Sequence, residues 1–371
     1  MDIEQAIAVS QERLAEEGAT MEDLFGRLRD RISPVLIGER EWECLLARAG
    51  TLPITMGAQP FGFELPLHDG RPRADLGVSL AYGNRSGDFF EAQARRDPSD
   101  GTAAAVSRLF REMAVADSPL SAIVGRKLML EYDVGSGSDG SSRPGMFLRP
   151  NERTIVGGAG QQNDVGVVVD GLVACHDLKP SAAERSNAQR VYLAQPEGTR
   201  LDSFGFFPSR ARAIRLAVMG FPGQREIRSF LEEIAWPGSI AAVETVLARF
   251  SERTQIVRTG LNVDVRTDGI GPTLGLTPIV RQRYADDDRV WIDGLTDWQP
   301  VLEALRREEG VAKEKVAALA GWVSQPTMLF GKTGLFVLLR GIHHIKLVIA
   351  GDRVEQIKAY VYMVLSGAVA T

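Results

Sequence analysis

Helical and strand periodicities alternate along this chain. The first 50 residues carry apolar positions at helical spacing, which predicts helices that include 21–32 and 39–49. Beyond residue 60, apolar and polar positions alternate in short segments, first over 61–65 and then over 76–82. Such alternation is typical of strands that bury one face. The two segments are close enough to pair across the polar turn between them.

The same alternation of helices and strand pairs continues to the end of the chain. Further helices are predicted over 102–113, 164–174, 181–194, 226–234, 240–250, 298–306 and 312–322. Further strands are predicted over 127–134, 145–148, 203–207, 213–218, 261–265, 273–276, 334–339, 345–349 and 357–363. The fold class is therefore α+β, with repeated helix–β-hairpin–helix units forming antiparallel sheets that helices cover.

A short internal similarity indicates duplication. Residues 214–228 and 345–358 share an apolar strand with a basic residue in second place, followed by a glycine and an isoleucine–basic pair. Together with the recurring units, this similarity favours an arrangement in two similar lobes. We place the first lobe, with the N-terminal helices and the first hairpins, at 1–195. The second hairpin lobe, with the C-terminal strands, is placed at 196–371.

Composition narrows the range of partners and compartments. The 371 residues include 43 basic and 48 acidic side chains, a formal charge of −5, and no long basic stripe that would hold a phosphate backbone. The two cysteines, Cys44 and Cys175, have no partner at metal or redox spacing, which fits a reducing compartment. The acidic first residues and the absence of a long apolar stretch predict a cytoplasmic protein that binds neither membrane nor nucleic acid.

Two short strings resemble catalytic motifs, but the elements predicted around them do not match those that the motifs require. Residues 135–140 match a dinucleotide fingerprint, but a strand follows where the fingerprint needs a helix. Residues 331–333 resemble the end of a phosphate-binding loop without its first glycine or its helix. His343 and His344 are adjacent, so a strand would point them to opposite faces. We therefore predict no catalytic residue, no metal site and no cofactor.

Charged residues inside apolar strands are the strongest candidates for a site. Alternation puts Glu131 and Asp133 on one face of their strand. If that face lines a concave surface, the two acids are placed to bind an amide, an indole N–H or an arginine. If it faces water, they are the wet side of a half-buried sheet. The other residues of this type are Arg215, Asp264, Lys346 and Lys358.

Two resemblances arise from these residues. The first is an arrangement: helix–hairpin–helix units, an acid on an early strand (Glu131), and Arg215, Lys346, Lys358 and Tyr360 on later strands. It resembles the αββα-barrel aromatic prenyltransferases. That resemblance implies an acid that binds an indole-type acceptor, and basic and tyrosine side chains that hold a diphosphate.

The second resemblance follows a series of short strings in order along the chain. They lie at 130–133, 143–147, 206–210, 236–238, 271–276, 344–348 and 358–360. In this order they are similar to the peptide-binding proteins of crocagin-type pyrroloindoline biosynthesis. That resemblance implies a protein that holds a ribosomally made precursor peptide while a partner, such as a tailoring oxygenase or a homologous binding protein, acts with it.

Because no catalytic motif stands out, the second resemblance gives the main functional prediction. It is an accessory protein, non-catalytic or at most positioning the peptide, that binds a precursor peptide and presents it to partner enzymes. A scaffold subunit of a larger complex is a further class that the sequence leaves open. The predicted peptide-binding residues are Glu131, Asp133, Arg215, Lys346, Lys358 and Tyr360. The alternative is an αββα-type prenyltransferase acting on an indole or a peptide. A prenyltransferase needs the basic residues and Tyr360 to converge inside a barrel, whereas a peptide binder needs a long open groove.

Overall fold

The structure, a computed structural model, describes residues 2–134, 143–151, 155–251, 256–280, 298–308 and 310–367. Its helices α1 to α12 are Ile3–Glu17, Met21–Leu28, Glu39–Ala49, Arg85–Arg96, Gly101–Ala114, Pro119–Ile123, Gln162–Ala174, Ala182–Leu193, Gln224–Glu233, Ile240–Ser251, Gln299–Leu305 and Lys313–Ala320. Its strands β1 to β11 are Phe61–Pro66, Asp75–Ala81, Val124–Tyr132, Gly145–Pro150, Arg200–Phe206, Ile214–Phe221, Ile256–Arg266, Gly269–Val280, Ser324–Gly331, Gly334–Ala350 and Arg353–Ser366.

The strands form a closed antiparallel barrel. Strands β1 to β8 pair in chain order, and β8 then pairs with β10. The final strand, β11, pairs with both β10 and β1, which closes a ring of ten strands. Strand β9 pairs with the first half of β10 and lies outside that ring. A closed ring leaves no free sheet edge among its members.

Helices cover the outer surface of the barrel and fix which strand face points outward. Phe25 of α2 stacks on Trp42 of α3 and on Phe61 of β1, with ring centroids 5.4 and 5.9 Å away. Phe63 meets the same Phe25 ring edge-on at 5.8 Å. Because successive side chains of a strand point to opposite faces, Gly62, Glu64 and Pro66 point into the barrel.

Helix α1 also fastens one end of the barrel. The buried Glu17 carboxylate accepts hydrogen bonds from the backbone N–H of Lys332 (2.9 Å), the N–H of Thr333 (2.6 Å) and the Thr333 hydroxyl (2.7 Å). Arg13 of the same helix donates to the carbonyls of Thr333 and Leu335 and to that of Gly367. The turn between β9 and β10 is thereby held against the end of β11.

The inward face of the barrel is the more accessible one. Along β11, the outward residues from Ile357 to Leu365 are buried under helices, while the alternate residues from Lys358 to Ser366 are partly exposed. Strand β2 shows the same alternation from Asp75 to Leu80. The polar face of the strands therefore lines a lumen, which settles the question that alternation alone left open.

The α+β class is confirmed, and its architecture is more specific than separate hairpin sheets. A single barrel replaces the predicted sheets, because the first and last strands pair with each other. The predicted division at 195/196 falls between α8 and β5, and β5 pairs with β4 across it, with Met146 opposite Phe206. The division into two lobes itself stays a prediction.

Several local predictions need revision or fall outside the described residues. The segments 334–339 and 345–349 belong to one strand, β10, and both α4 and β9 are additional elements. The string at 135–140 that matches a dinucleotide fingerprint lies outside the described residues. Within the described part of the chain, no helix combines the length and apolarity needed to cross a bilayer.

Candidate functional site

Strand register brings the predicted site residues to one region of the lumen. Tyr360 and Lys358 of β11 lie opposite Glu64 and Pro66 of β1, on the inward face. In β3, Glu131 lies opposite Gly77, which shares the inward face of β2. Further inward positions follow by register through β4 to β10: Gly145, Gly205, Arg215, Asp264, Lys346 and His344.

Glu64 is the centre of a hydrogen-bonded group at the junction of β1 and β11. The Lys358 ammonium lies 2.5 Å from the Glu64 carboxylate, and the Tyr360 hydroxyl donates a hydrogen bond to it. Burial favours the neutral acid, but the charges of Lys358 and Lys346 outweigh burial and lower the pKa of Glu64 to about 2. The Tyr360 ring is stacked on His344, with centroids 4.1 Å apart and planes at 12°.

Glu131 is a second buried carboxylate of the site, and its contacts differ from those of Glu64. It is 7% exposed, and Arg210 approaches no closer than 3.7 Å, too far for a hydrogen bond. Burial raises the pKa of Glu131 to about 7, the Glu64 charge adds to that rise, and Lys346 opposes it. A carboxyl group that titrates near neutral pH and makes no hydrogen bond to the described residues is free to accept one from a ligand.

Lys346 is a buried cation whose pKa is affected by the charges of Arg215, Glu64, Glu131 and Lys358. Its ammonium lies 4.5 Å from the centre of the Tyr360 ring, a cation–π contact, and its side chain passes over Gly275. A Cβ at position 275 would lie 2.9 Å from the Lys346 Cδ, so a larger residue there would displace the lysine. Burial lowers the pKa of Lys346 to about 8, and the Arg215 charge contributes to that shift.

The two arginines of the site both have carboxylate partners. Arg215 donates to both oxygens of Asp264, at 2.8 and 3.0 Å, and this pairing outweighs burial and raises the pKa of Arg215. Arg210 donates through both Nε and Nη2 to Asp133, with the Nε bond at 3.0 Å. Both guanidinium groups lie over the Phe207 ring, at 4.0 Å for Arg210 and 5.0 Å for Arg215.

Aromatic rings cover the lumen wall where glycines make room for them. A Cβ on Gly145 would lie 2.4 Å from the Phe207 ring, and one on Gly205 would lie 2.4 Å from the Phe147 ring. The two rings themselves meet edge-to-face at 5.3 Å. The wall beside Arg215 is thus apolar and aromatic, and it suits contact with an aromatic ligand.

Five of the six sequence-predicted site residues point into the lumen from barrel strands, and Asp133 directly follows the end of β3. The charges of Glu131 and Arg215 act on the pKa values of Lys346 and Tyr360, whereas Asp133 is engaged by Arg210. The sequence reasoning missed four further residues: Glu64, His344, Phe207 and Arg210. Glu64 carried the same signal as Glu131, an acid within an alternating apolar strand.

The adjacent histidines do not form a metal site with their neighbours. Their Nδ1 atoms are 2.7 Å apart, and His344 is the one that stacks on Tyr360. In the part of the chain that the structure describes, three or more histidine, cysteine, aspartate or glutamate side chains do not gather around a common point.

Comparison with solved structures places this fold among aromatic prenyltransferases. AnaPT from Neosartorya fischeri superimposes with a TM-score of 0.53 at 9% identity, covering 97% of this chain and 96% of that one. 5-Dimethylallyltryptophan synthase from Streptomyces coelicolor gives 0.51 at 15% identity, covering 92% and 97%. PriB, in a ternary complex with L-tryptophan and dimethylallyl thiolodiphosphate, gives 0.51 at 16% identity, covering 92% and 96%. The chain has the αββα-barrel fold that these prenyltransferases share.

Sequence comparisons add no closer relative: no family model matches the chain, and no curated protein matches it. The predicted role as a peptide-binding accessory protein of crocagin-type biosynthesis is wrong. The short strings that carried it lie largely on barrel strands, where alternating apolar residues recur for structural reasons. The charged residues that were expected to line a long open groove instead face the lumen of a closed barrel.

Proposed function

We propose that this protein is a prenyltransferase that moves an allylic group from an allylic diphosphate to an indole-type aromatic acceptor. The observation that carries the proposal is that Glu131 and Lys346 face the same region of the lumen, where the charge of each affects the pKa of the other. Both are buried, and neither makes a hydrogen bond to a described residue. Their position inside an αββα barrel, beside Arg215, Lys358 and Tyr360, supports this chemistry over simple binding.

The reaction breaks the carbon–oxygen bond of the allylic diphosphate and forms a carbon–carbon bond to the aromatic ring, which then loses a proton. Glu131 is suited to accept a hydrogen bond from the acceptor N–H, which increases the electron density of the ring as it attacks. Lys346, Lys358, Arg215 and Tyr360 are suited to bind the departing diphosphate, because cations and hydroxyl donors stabilise the negative charge that develops on it.

The aromatic wall supports the same proposal. An allylic cation is captured rapidly by water, so its site must exclude water from the reacting carbon. The Phe147 and Phe207 rings, packed edge-to-face over Gly205 and Gly145, offer apolar surface without a nucleophile. Tyr362 adds a third ring, which covers Gly341 in the same manner.

The test is direct. The purified protein is incubated with dimethylallyl diphosphate and, separately, with tryptophan, tryptamine and indole, and products are analysed by mass spectrometry for the gain of one dimethylallyl group. The Glu131→Gln/Lys346→Met double variant is the matched control, since both substitutions preserve side-chain length. Prenylated product from the native protein alone supports the proposal. No product from any acceptor, together with no calorimetric binding of the diphosphate, contradicts it.

A further inference from the structure

We infer that the acceptor carries a positive charge and no carboxylate, and that Glu64 and Asp264 exchange partners to receive it. In the free protein these two carboxylates neutralise Lys358 and Arg215. When a diphosphate binds these two cations, the released carboxylates bind an ammonium or guanidinium group on the acceptor. This inference rests on the proposed function and extends it to a substrate class.

Three cations that face the lumen, Lys358, Arg215 and Arg210, are paired with carboxylates before any substrate binds. Lys358 lies 2.5 Å from Glu64, and Arg215 donates twice to Asp264. Arg210, beside Phe207, donates twice to Asp133. A diphosphate that enters this lumen therefore competes with carboxylates for Lys358 and Arg215.

Two buried groups in the same lumen are left available to ligands. Glu131 is 7% exposed and Lys346 is 8% exposed, and neither has a hydrogen bond to a described residue. A buried polar group without a partner is costly, so such groups mark places where a ligand completes the hydrogen bonding. The Glu131 carboxylate accepts hydrogen bonds, and the Lys346 ammonium donates them. Together they suit two ligands, one with an N–H group for Glu131 and one with an anionic group for Lys346.

The balance of charges in the lumen then indicates which charge the acceptor carries. An allylic diphosphate carries about three negative charges at neutral pH, and in a low-dielectric site each needs compensation. Lys346 is the cation that stands without a carboxylate partner among the described residues that line this region. If Lys358 and Arg215 turn to the diphosphate, the buried Glu64 and the partly buried Asp264 become anions without partners, which is unfavourable in a low-dielectric site.

A cationic acceptor removes that cost. Its ammonium or guanidinium group pairs with Glu64 or Asp264, while its aromatic ring lies along the Phe147–Phe207 wall with its N–H toward Glu131. A carboxylate on the acceptor would instead add another anion to a lumen that already holds Glu64, Glu131 and Asp264. The exchange also predicts that donor and acceptor strengthen each other's binding, because each supplies the charge that the other lacks.

The test compares acceptors with the same ring and different charge. Tryptamine (cationic) and indole-3-propionate (anionic) are titrated calorimetrically into the native protein, with and without the unreactive dimethylallyl thiolodiphosphate. We expect tryptamine to bind at least about tenfold more tightly than indole-3-propionate, a difference of about 1.4 kcal/mol. We also expect the thiolodiphosphate to raise tryptamine affinity by a similar factor. Equal affinities for the two acceptors, or no effect of the donor analogue on tryptamine, overturns the inference.

Variants separate this inference from the proposed function. Asp264→Asn should reduce the preference for tryptamine, while Asp268→Asn, at an exposed turn next to the same strand, should leave it unchanged. Circular dichroism and thermal unfolding check that both variants fold. If Asp264→Asn does not fold, the titrations of the native protein still test the inference. If tryptamine and indole-3-propionate are prenylated with equal efficiency, the charge preference fails and prenyl transfer stands. If tryptamine is preferred but no acceptor is prenylated, prenyl transfer fails.

Discussion

Glu64 and Lys358 form an ion pair, with a 2.5 Å contact, across the seam where the first and last strands of the barrel meet. Both side chains point into the lumen beside Tyr360, which donates to the same carboxylate. The seam is therefore part of the barrel framework and part of the candidate site. Substitutions there should affect folding and ligand binding together, so the sharper tests lie at residues outside the seam.

Glu131→Gln should abolish most prenyl transfer and leave the donor bound. The amide keeps the shape of the side chain but removes the negative charge that polarises the acceptor N–H. We expect kcat/KM to fall by roughly a hundredfold or more. Product formation is measured by mass spectrometry and donor affinity by calorimetry. Glu233→Gln, on the exposed side of α9, is the control. Unchanged turnover in Glu131→Gln would remove Glu131 from the mechanism.

Lys346→Met should weaken binding of the allylic diphosphate. The thioether fills the space over Gly275 and Tyr360 but cannot pair with phosphate. The loss of a charge-assisted contact should raise the donor Kd by about tenfold to a hundredfold. Isothermal titration of both proteins with dimethylallyl diphosphate measures the change, with Lys313→Met at an exposed position of α12 as the control. Equal donor affinity in the two variants would argue against a diphosphate site at Lys346.

Activity should depend on pH with two opposing limbs. The pKa of Glu131 is raised to about 7, so its ionised form grows as pH rises through that value. The pKa of Lys346 is lowered to about 8, so its ammonium form is lost as pH rises further. The profile of kcat/KM, which reports the free enzyme, should therefore peak between about 7 and 8.

Variants can assign each limb of the pH profile to a residue. Residual activity of Glu131→Gln should lose the acidic limb, and Lys346→Arg should extend the alkaline limb, because a guanidinium stays protonated there. Bound diphosphate should also raise the pKa of Lys346, so the alkaline limb of kcat should lie above that of kcat/KM. An acidic limb that persists unchanged in Glu131→Gln would assign it to another group.

Glu17→Ala should destabilise the barrel without a specific effect on ligands. The substitution removes a buried carboxylate and leaves the N–H groups of Lys332 and Thr333, in a partly buried turn, without their acceptor. We expect a loss of about 2–4 kcal/mol in the free energy of unfolding. Urea unfolding measures it against Glu16→Ala, an exposed neighbour on the same helix. A loss no larger than that of the control would mean that the turn is held by other contacts.

Gly145→Ala should disturb the aromatic wall. Its added methyl would lie 2.4 Å from the Phe207 ring, so the ring must move away from Arg210 and Arg215. We expect a destabilisation of about 1–3 kcal/mol and weaker acceptor binding. Gly166→Ala, in α7, is the matched control, because the atom nearest to its added methyl, the Gln189 Nε2, would be 3.6 Å away in ordinary contact. Thermal unfolding and tryptamine titration compare the two, and equal behaviour would show that the wall is adaptable.

Local periodicity predicted most of the helices and strands but not the closure of the strands into a barrel. Segments such as 61–65 and 145–148 agree with β1 and β4, because alternation along a strand is a property of neighbouring residues. Which face lies inside depends on the pairing of β1 with β11, and no local pattern records that pairing. The same polar face would be wet on an open sheet and enclosed in a barrel.

Elements that were missed or split have identifiable causes. Helix α4, Arg85–Arg96, is rich in polar residues and buries Phe90 as its large apolar side chain, so it lacks a strong periodic signal. Strand β10 was divided at Gly341 and the histidines, where the register with β11 shifts between Ile342 and His344. For the site, sequence singled out Glu131, Arg215 and Lys346 as candidates, but their arrangement around one lumen depends on pairings between strands that are far apart in the chain.

The β1–β11 seam also has a kinetic consequence. Phe61 pairs with Met363, so the contact that completes the ring joins positions about 300 residues apart, the kind of long-range contact that slows folding. Until that contact forms, β1 and β11 each present a bare edge on which another chain can add a strand. Correct folding of this protein should therefore be sensitive to concentration, and refolding at high dilution should recover more monomer than refolding at low dilution.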